Sequence, residues 1–247
     1  EKAREILSQM RGVGAKAVTF TGGGDPLVNP HTLPAVEFAS GLGLDVGFIT
    51  NAQALSPEGA DIILKNCVWT RISIDAATPK IFKLTHGMDA DAFEKVLNNV
   101  RLLVQRKATL KSATTIGIGF LTSNHTKEDI HAFGALGMDL GVDYAQYRPL
   151  LRRQGEPDID YSNPEILEEI TRAQRDFSTE KYKVVCSEHK YKEIAKGNMG
   201  RTYKKCYGQH FASVVAADGK MYVCCHMRGI EKYAIGDLSK NSMAEIW

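Results

Sequence analysis

The sequence predicts an α/β fold: a partial (β/α)6 barrel of the TIM-like type, followed by a small C-terminal α+β hairpin module. Three observations support this prediction. Short apolar runs recur along the first 150 residues, amphipathic helical segments separate them, and prolines and glycines mark the boundaries. Alternating strands and helices of this kind form parallel sheets with right-handed crossovers. The side chains that carry chemistry are therefore expected at the carboxyl ends of the strands.

Five apolar runs are predicted to be strands buried on both faces, as in a parallel sheet. They are Ala17–Thr21, Val46–Thr50, Thr70–Ile74, Thr115–Leu121 and Tyr144–Pro149. The chain begins inside a helix-like stretch that itself needs a preceding strand, which makes six βα units. It also ends on a helix-like stretch, so we expect it to be an excerpt of a longer protein.

The intervening segments have helical periodicity and helix-start signals. The clearest apolar stripe is formed by Phe93, Val96, Leu97, Val100, Leu103 and Val104, which recur at the spacing of one helix face. Four pairs place a capping side chain before a proline and predict helix starts. They are Asn29-Pro30, Ser56-Pro57, Thr78-Pro79 and Asn163-Pro164.

The composition changes after Pro149, and we place domain boundaries accordingly. Residues 1–160 form the predicted barrel, 161–205 a linker helix with a basic segment, and 206–247 the hairpin module. Lys181–Lys205 carries eight Lys and Arg against two Glu. This basic stretch is interpreted as a solvated face, the alternative being a surface that attracts an acidic peptide or an anionic substrate.

Composition and charge exclude several classes of protein. The chain has 31 Lys and Arg against 29 Asp and Glu, a formal charge of +2, and 43% hydrophobic residues. These values exclude a disordered chain and a globally basic nucleic-acid binder. No apolar run approaches the roughly 18 residues of a membrane span, so no membrane partner is expected. Five cysteines are too few for a disulfide framework and odd in number, which predicts a reduced, cytoplasmic setting.

Two predicted strand ends carry candidate binding residues. Gly22–Gly24 follow the first run, and glycines let the backbone approach a ligand closely. Asp25 adds a carboxylate suited to an ammonium group, although an Asp-Pro pair equally suits a plain turn. Ser73 and Asp75 lie two residues apart in a predicted strand. Their side chains are therefore expected on one face, where they would suit a ribose or an amino-acid head group. The alternative for Asp75 is a cap on the next helix.

Three of the cysteines are concentrated near the C-terminus. Cys206, Cys224 and Cys225 lie within 20 residues, on either side of a predicted hairpin. Thiolates brought together in this way bind iron–sulfur clusters or zinc. Cys67 and Cys186 lie elsewhere and are interpreted as small buried hydrophobic residues.

Together these motifs resemble the radical S-adenosylmethionine (radical SAM) enzymes that carry a C-terminal auxiliary-cluster module, the SPASM and twitch group. The likeness spans the chain and depends on the order of its parts. These are Gly23-Gly24-Asp25-Pro26-Leu27, Ile49-Thr50-Asn51, Ser73-Ile74-Asp75, Ile116–Phe120, Gln146-Tyr147-Arg148-Pro149, Cys206 with Gly219 and Cys224, and Ile235-Gly236-Asp237-Leu238. Asp25 stands where the family usually has Glu, and Ala52 where its Thr-Asn-Gly motif has Gly.

The resemblance implies an enzyme in which a reduced [4Fe–4S] cluster splits SAM to methionine and a 5′-deoxyadenosyl radical that takes a hydrogen atom from a substrate. The residues implied to bind SAM are Gly23, Gly24, Asp25, Asn51, Ser73, Asp75 and Arg148; those implied to ligate an auxiliary iron–sulfur cluster are Cys206, Cys224 and Cys225. The glycine loop would hold the methionine end, with Ser73 and Asp75 on the carboxylate and ribose. The implied partners are a peptide, protein or small-molecule substrate and an electron donor such as flavodoxin or ferredoxin.

One family motif is missing from this sequence, and alternatives stay open. The Cys-x3-Cys-x2-Cys loop that binds the SAM-cleaving cluster is expected upstream of Glu1, and further auxiliary-cluster cysteines beyond Trp247. A degenerate relative without that loop is one alternative. Another is a non-radical, zinc-stabilised binding protein that uses the three C-terminal cysteines and His226. A third, a metal-free lyase or aldolase, finds no suitably placed lysine.

Overall fold

The computed structural model describes residues 1–150, 164–195 and 204–247. Nine helices and nine strands are present in these ranges. The helices are α1 (Lys2–Gly12), α2 (Thr32–Gly41), α3 (Pro57–Asn66), α4 (Pro79–His86), α5 (Ala90–Leu110), α6 (Ile130–Leu140), α7 (Pro164–Phe177), α8 (Glu188–Ala195) and α9 (Met243–Ile246). The strands are β1 (Ala17–Phe20), β2 (Asp45–Thr50), β3 (Trp69–Ser73), β4 (Thr115–Thr122), β5 (Tyr144–Pro149), β6 (Lys183–Cys186), β7 (Val214–Val215), β8 (Lys220–Tyr222) and β9 (Ala234–Asp237).

The predicted α/β architecture with a partial TIM-like sheet is confirmed. The first six strands form one sheet in the order β1-β2-β3-β4-β5-β6, and the last three form a separate sheet in the order β7-β8-β9. The pairs from β3 to β6 are parallel, whereas β8 is antiparallel to both β7 and β9. The chain divides into two compact units, Phe48–Gly200 and a discontinuous unit of Glu1–Gly47 with Arg201–Trp247.

In the Phe48–Gly200 unit, the two faces of the sheet differ in character. The face that carries Ile72, Ile118, Phe120 and Tyr147 is completely buried. Phe133 of α6 packs against Phe120 and Tyr147 on this face. The other face of β3 and β5 is only half-buried, since burial alternates along both strands. The prediction of burial on both faces was therefore wrong for these strands, and also for β1, where Ala17 and Thr19 are exposed.

Helix-start predictions were confirmed where the capping side chain satisfies a backbone N–H. Ser56 accepts from the Gly59 N–H at 3.0 Å, and Thr78 from the Ile81 N–H at 3.3 Å. At Asn29-Pro30 the prediction was wrong, because Asn29 accepts from the His31 N–H and α2 begins only at Thr32. Asn163 lies outside the described residues. The apolar stripe of α5 was confirmed, with five of its members buried.

The segment interpreted as a basic, solvated face contains a strand of the main sheet. β6 pairs with β5 through Tyr144↔Lys183 and Tyr147↔Cys186, and Val184 is buried. In this strand Val184 is buried whereas Lys183 and Val185 are exposed, a pattern that composition alone does not distinguish from a solvated run. Part of the stretch, residues 196–203, lies outside the described residues.

In the discontinuous unit, α1 shares a hydrophobic core with the C-terminal module. Met221, Leu238 and Met243 are buried together, and Ile6 and Met10 of α1 pack against them. The Met243 N–H also donates to Gln9 Oε1 at 2.6 Å. The predicted hairpin is confirmed as β7 and β8, joined by a turn in which Gly219 has a φ of +77°. The domain boundaries drawn at residues 160 and 205 stay a prediction.

Candidate functional site

The turn that follows β2 is held against helix α5. The Gln53 N–H donates to Asn51 Oδ1 at 3.0 Å, and Asn99 Nδ2 donates to the Ala52 carbonyl at 2.7 Å. Ala52 is fully buried with a φ of +58°, a conformation that favours glycine. This explains why a Thr-Asn-Gly sequence suits the position and shows that the chain keeps the same turn with alanine.

Asp75 follows β3 but does not continue it. The strand ends at Ser73, and Asp75 has a φ of +53°. The alternation that predicted one shared face for Ser73 and Asp75 therefore does not reach Asp75. Its Oδ1 instead accepts the Leu121 N–H at 2.6 Å, which ties the end of β3 to β4. Burial raises the pKa of the Asp75 carboxyl, although this hydrogen bond and nearby cations oppose the shift.

A second buried carboxylate, not singled out from the sequence, positions the loop after Asp75. Asp129 Oδ2 accepts the N–H groups of Ala77 at 2.6 Å and Thr78 at 2.7 Å, and the Thr78 hydroxyl at 3.0 Å. Asp129 lies 52 residues from Ala77 in sequence. No local pattern indicates such a long-range contact.

The half-buried face of β3, β4 and β5 carries polar side chains around two glycines, and we call it the polar face. Its members are Arg71, Ser73, Gly117, Gly119, Tyr144, Gln146 and Arg148, which share a face through the register of the three strands. A Cβ on Gly117 would lie 2.1 Å from the Tyr144 ring, and one on Gly119 would lie 3.4 Å from Arg71 Cδ. The glycines thus leave the room that these long side chains occupy.

Two arginines lie on this face with nitrogen atoms that lack partners. Arg71 Nη1 donates to Gln146 Oε1 at 2.5 Å, and Arg71 lies close to Tyr144. The Nε atoms of Arg71 and Arg148 are buried and have no hydrogen-bond partner among the described residues. Burial lowers the pKa of Arg71, and the charge of Arg148 lowers it further. Arg148 was predicted as a site residue. Arg71 was not predicted, although it lies two residues before Ser73 in β3 and alternate residues of a strand share one face.

A cavity of about 330 Å³ lies beside Asp75 at the ends of β3 and β4. Its lining combines apolar and hydroxyl groups: Asp75, Leu84, Thr85, Leu121, Ser123, His125, Thr126 and Leu150. Cavities of a few hundred Å³ with a few polar groups are typical of small-molecule sites.

The loop after β1, in the discontinuous unit, is tightly folded. A Cβ on Gly22 would lie 2.7 Å from the Gly24 carbonyl oxygen, so no larger residue fits there. Asp25 Oδ1 accepts the Leu27 N–H at 2.9 Å and caps a short 3-10 helix, Pro26–Val28. The turn-forming role considered for Asp25 is therefore present. The position of a Cβ on Gly23 lies 3.7 Å from the Arg228 guanidinium of the C-terminal module.

The C-terminal cysteines do not converge as a three-ligand group. No group of three or more His, Cys, Asp or Glu side chains is arranged to hold a metal ion in the parts of the chain that the structure describes. Cys206 and Cys224 each precede a short 3-10 helix. Cys224 has an extended backbone, φ −168° and ψ 169°, so the exposed Cys225 side chain diverges from it. This geometry does not form the four-ligand zinc site considered from the sequence.

Of the remaining two cysteines, only Cys67 is buried as predicted. Cys67 is buried, and desolvation raises the pKa of its thiol to about 12. Cys186, at the end of β6, is half-buried, and burial also raises its pKa. Thiols with raised pKa values are poor metal ligands because the thiolate is the binding form.

Among the described helices, none combines the length and apolar character needed to cross a bilayer.

Comparison with known proteins gives consistent results. Residues 1–133 match the Radical SAM superfamily model, and residues 206–247 match the SPASM iron–sulfur cluster-binding domain. The chain is 23% identical to the AdoMet-dependent heme synthase of Methanosarcina barkeri (strain Fusaro / DSM 804), over all of this chain and 72% of the relative.

Solved structures with the same fold include two peptide-bound proteins. Streptococcus suis SuiB bound to S-adenosylmethionine superposes with a TM-score of 0.77 at 14% identity over the whole chain, which spans 57% of SuiB. SuiB has also been crystallised with the precursor peptide SuiA. The protein anSMEcpe with bound AdoMet superposes with a TM-score of 0.68 at 16% identity, over 99% of this chain and 70% of that protein. It has also been crystallised with the Kp18Cys peptide.

Proposed function

This chain belongs to the radical SAM superfamily, and on that premise we propose that the whole protein cleaves S-adenosylmethionine reductively and removes a hydrogen atom from a substrate. The observation that carries the proposal is the set of polar residues at successive strand ends of the Phe48–Gly200 unit. Asn51 follows β2, Ser73 ends β3 and Asp75 follows it, and Arg148 lies near the end of β5. Ligands of parallel α/β sheets bind at this edge.

The residues at this edge fit a zwitterionic nucleoside ligand. Asp75 offers a carboxylate beside a cavity of about 330 Å³, which suits a ribose hydroxyl. Arg148 offers a buried Nε without a hydrogen-bond partner among the described residues, which suits a carboxylate. We propose Gly23, Gly24 and Asp25 as the groups that bind the methionine end. When bound, SAM and a reduced [4Fe–4S] cluster supply the radical that takes the hydrogen atom.

The C-terminal module supplies only part of a metal site in the described residues. We propose Cys206 and Cys224 as ligands of an auxiliary cluster, and Cys225 as a bystander because its exposed side chain diverges from that of Cys224. Fewer than three ligands converge there, so no step of the reaction is assigned to this group.

We propose a peptide as the substrate. SuiB and anSMEcpe, which share the fold, bind peptides, and that likeness supports the proposal. A small-molecule substrate is the second candidate, because the relative from Methanosarcina barkeri is a heme synthase.

An electron donor such as flavodoxin or ferredoxin belongs to the same proposal, since the cleavage requires one electron.

The proposal is tested on the full-length protein purified without oxygen. We expect iron and sulfide in the protein, and we expect SAM to bind in equilibrium dialysis. Asp25→Ala should weaken SAM binding by about tenfold or more, the loss of one charge-assisted hydrogen bond. Asp139→Ala, an exposed aspartate of α6, is the matched control and should bind SAM like the wild type.

Two results would contradict the proposal. Zinc without iron or sulfide would favour a non-radical, metal-stabilised binding protein. Unchanged SAM affinity in Asp25→Ala would limit that residue to its role as a cap of the Pro26–Val28 helix.

A further inference from the structure

We propose that Arg71 binds a carboxylate group of the substrate on the polar face. The proposal rests on the radical SAM function above, because it treats the molecule on this face as the hydrogen donor. It goes beyond that function by naming the chemical class of the group bound and the residue that selects it.

Arg71 is held in a defined orientation by Gln146 Oε1, to which its Nη1 donates at 2.5 Å, and it lies close to Tyr144. Its stem lies over Gly119, where a Cβ would come within 3.4 Å of Arg71 Cδ. A guanidinium fixed by neutral partners is a preorganised fork that matches a carboxylate with two parallel hydrogen bonds.

Neither Arg71 nor Arg148 forms an ion pair with an acidic side chain within the described residues of the Phe48–Gly200 unit. Both Nε atoms are buried without a partner in the described chain. The nearby acid is Asp75, whose Oδ1 already accepts the Leu121 N–H. Buried charges are normally paired, so each arginine retains the capacity to bind an anionic group of a ligand. The planar guanidinium of Arg71 matches the two oxygen atoms of a carboxylate.

The two arginines differ in their distance from the carboxyl edge of the sheet. Arg148 pairs in register with Leu121, the residue that holds Asp75 at the strand ends. Arg71 bonds Gln146, which lies two residues earlier on β5 and therefore about 6.6 Å further from that edge. The proposed cofactor carries one carboxylate, and Arg148 is assigned to it. The anion at Arg71 is therefore assigned to a second molecule, the substrate.

The test uses acetate as the probe, with acetamide as its neutral isostere and with chloride and phosphate at equal ionic strength. Thermal unfolding is recorded for the full-length wild type, Arg71→Lys, Arg71→Met and a surface control, Arg101→Met. The Arg101 side chain is 53% exposed. SAM dissociation constants are measured for the same four proteins. The fluorescence of Trp69, whose ring centroid lies 5.8 Å from the Arg71 guanidinium, provides a second readout of acetate binding.

Acetate at about ten times its dissociation constant should raise the wild-type midpoint by about 3 °C relative to chloride. Acetamide should not. The shift should be lost in Arg71→Met, reduced in Arg71→Lys and retained in Arg101→Met. SAM affinity should change by less than about twofold in the Arg71 variants. Arg71→Lys keeps the positive charge but lacks the planar guanidinium. If this variant folds, a smaller acetate shift reports the loss of the guanidinium and not a loss of structure.

Three outcomes would overturn the proposal. Equal shifts with acetate and chloride would show that no carboxylate site exists. A larger shift with phosphate would assign the site to a different anion. A loss of SAM affinity of about tenfold or more in Arg71→Lys would assign Arg71 to the cofactor. Failure of the wild type to bind SAM, with the acetate shift intact, would instead contradict the proposed function alone.

Discussion

At the scale of single residues, Asp75 is subject to opposing influences. Burial disfavours its ionised form and raises its pKa, while the Leu121 N–H and the charges of His86, Arg148 and Arg71 favour ionisation. Burial is the largest of these contributions. A buried carboxyl group of this kind destabilises the folded protein when it is ionised. Such groups occur most often at functional sites, where they interact with a ligand.

The pH dependence of stability tests this description of Asp75. In the unfolded chain the carboxyl titrates near 3.8, and in the folded protein it titrates higher. Between the two values the folded state holds a proton that the unfolded state has lost, so stability falls as pH rises through this window. Asp75→Asn does not titrate, and its amide oxygen can accept the same Leu121 N–H. We therefore expect the wild type to lose stability relative to Asp75→Asn in urea unfolding as pH rises above about 4. A relative gain with rising pH would mean that the arginines outweigh burial.

At the scale of secondary-structure elements, Asp129 connects the loop before α4 to the start of α6. Three hydrogen bonds from Ala77 and Thr78 end on its carboxylate, which is only 3% exposed. The loop that they fix begins at Asp75. Asp129 is thus a positioning residue for the candidate site, without being part of it.

Removing this carboxylate should be costly. Asp129→Ala leaves two N–H groups without their acceptor, and we expect a loss of about 2–4 kcal/mol in the free energy of unfolding. Asp129→Asn retains one acceptor oxygen and should lose less. Glu128→Ala, which removes an exposed surface pair with Lys80, should leave the denaturation midpoint nearly unchanged. Equal effects at positions 128 and 129 would show that the loop is held by other contacts.

At the scale of the whole chain, the discontinuous unit joins the N-terminal helix to the C-terminal module through one hydrophobic core. Leu238 is 3% exposed in a cluster that also contacts Ile6 and Met10. Because the module buries one side of α1, the stability of each depends on the other.

Hydrogen exchange should reveal this dependence. Leu238→Ala should cost about 2–5 kcal/mol as a buried large-to-small change, and it should lower amide protection in α1 as well as in β8 and β9. Ile230→Ala, at a position that is 44% exposed, should leave α1 protection unchanged. Loss of protection confined to the module after Leu238→Ala would contradict a shared core.

Strands β2 to β5 were predictable because each is an apolar run bounded by turn residues, and parallel sheets bury such runs. β6 was not predictable because only part of this short strand is buried and Lys183 is exposed. Its sequence therefore resembles the charged segment around it. Asn51, Ser73, Asp75 and Arg148 were predicted as site residues because they lie at or just after strand ends within family motifs. Arg71 and Asp129 were missed because their roles depend on contacts with Gln146 and Thr78, which are remote in sequence.

The most direct test of the central claim is the formation of 5′-deoxyadenosine. The full-length protein, purified without oxygen and mixed with SAM and dithionite, should release it as detected by mass spectrometry. Asp75→Ala should reduce the yield by about tenfold or more, the loss expected for one hydrogen bond to a cofactor from a charged group. Asp139→Ala should match the wild type. A wild-type protein that contains its iron and binds SAM but forms no 5′-deoxyadenosine would contradict the proposed radical function.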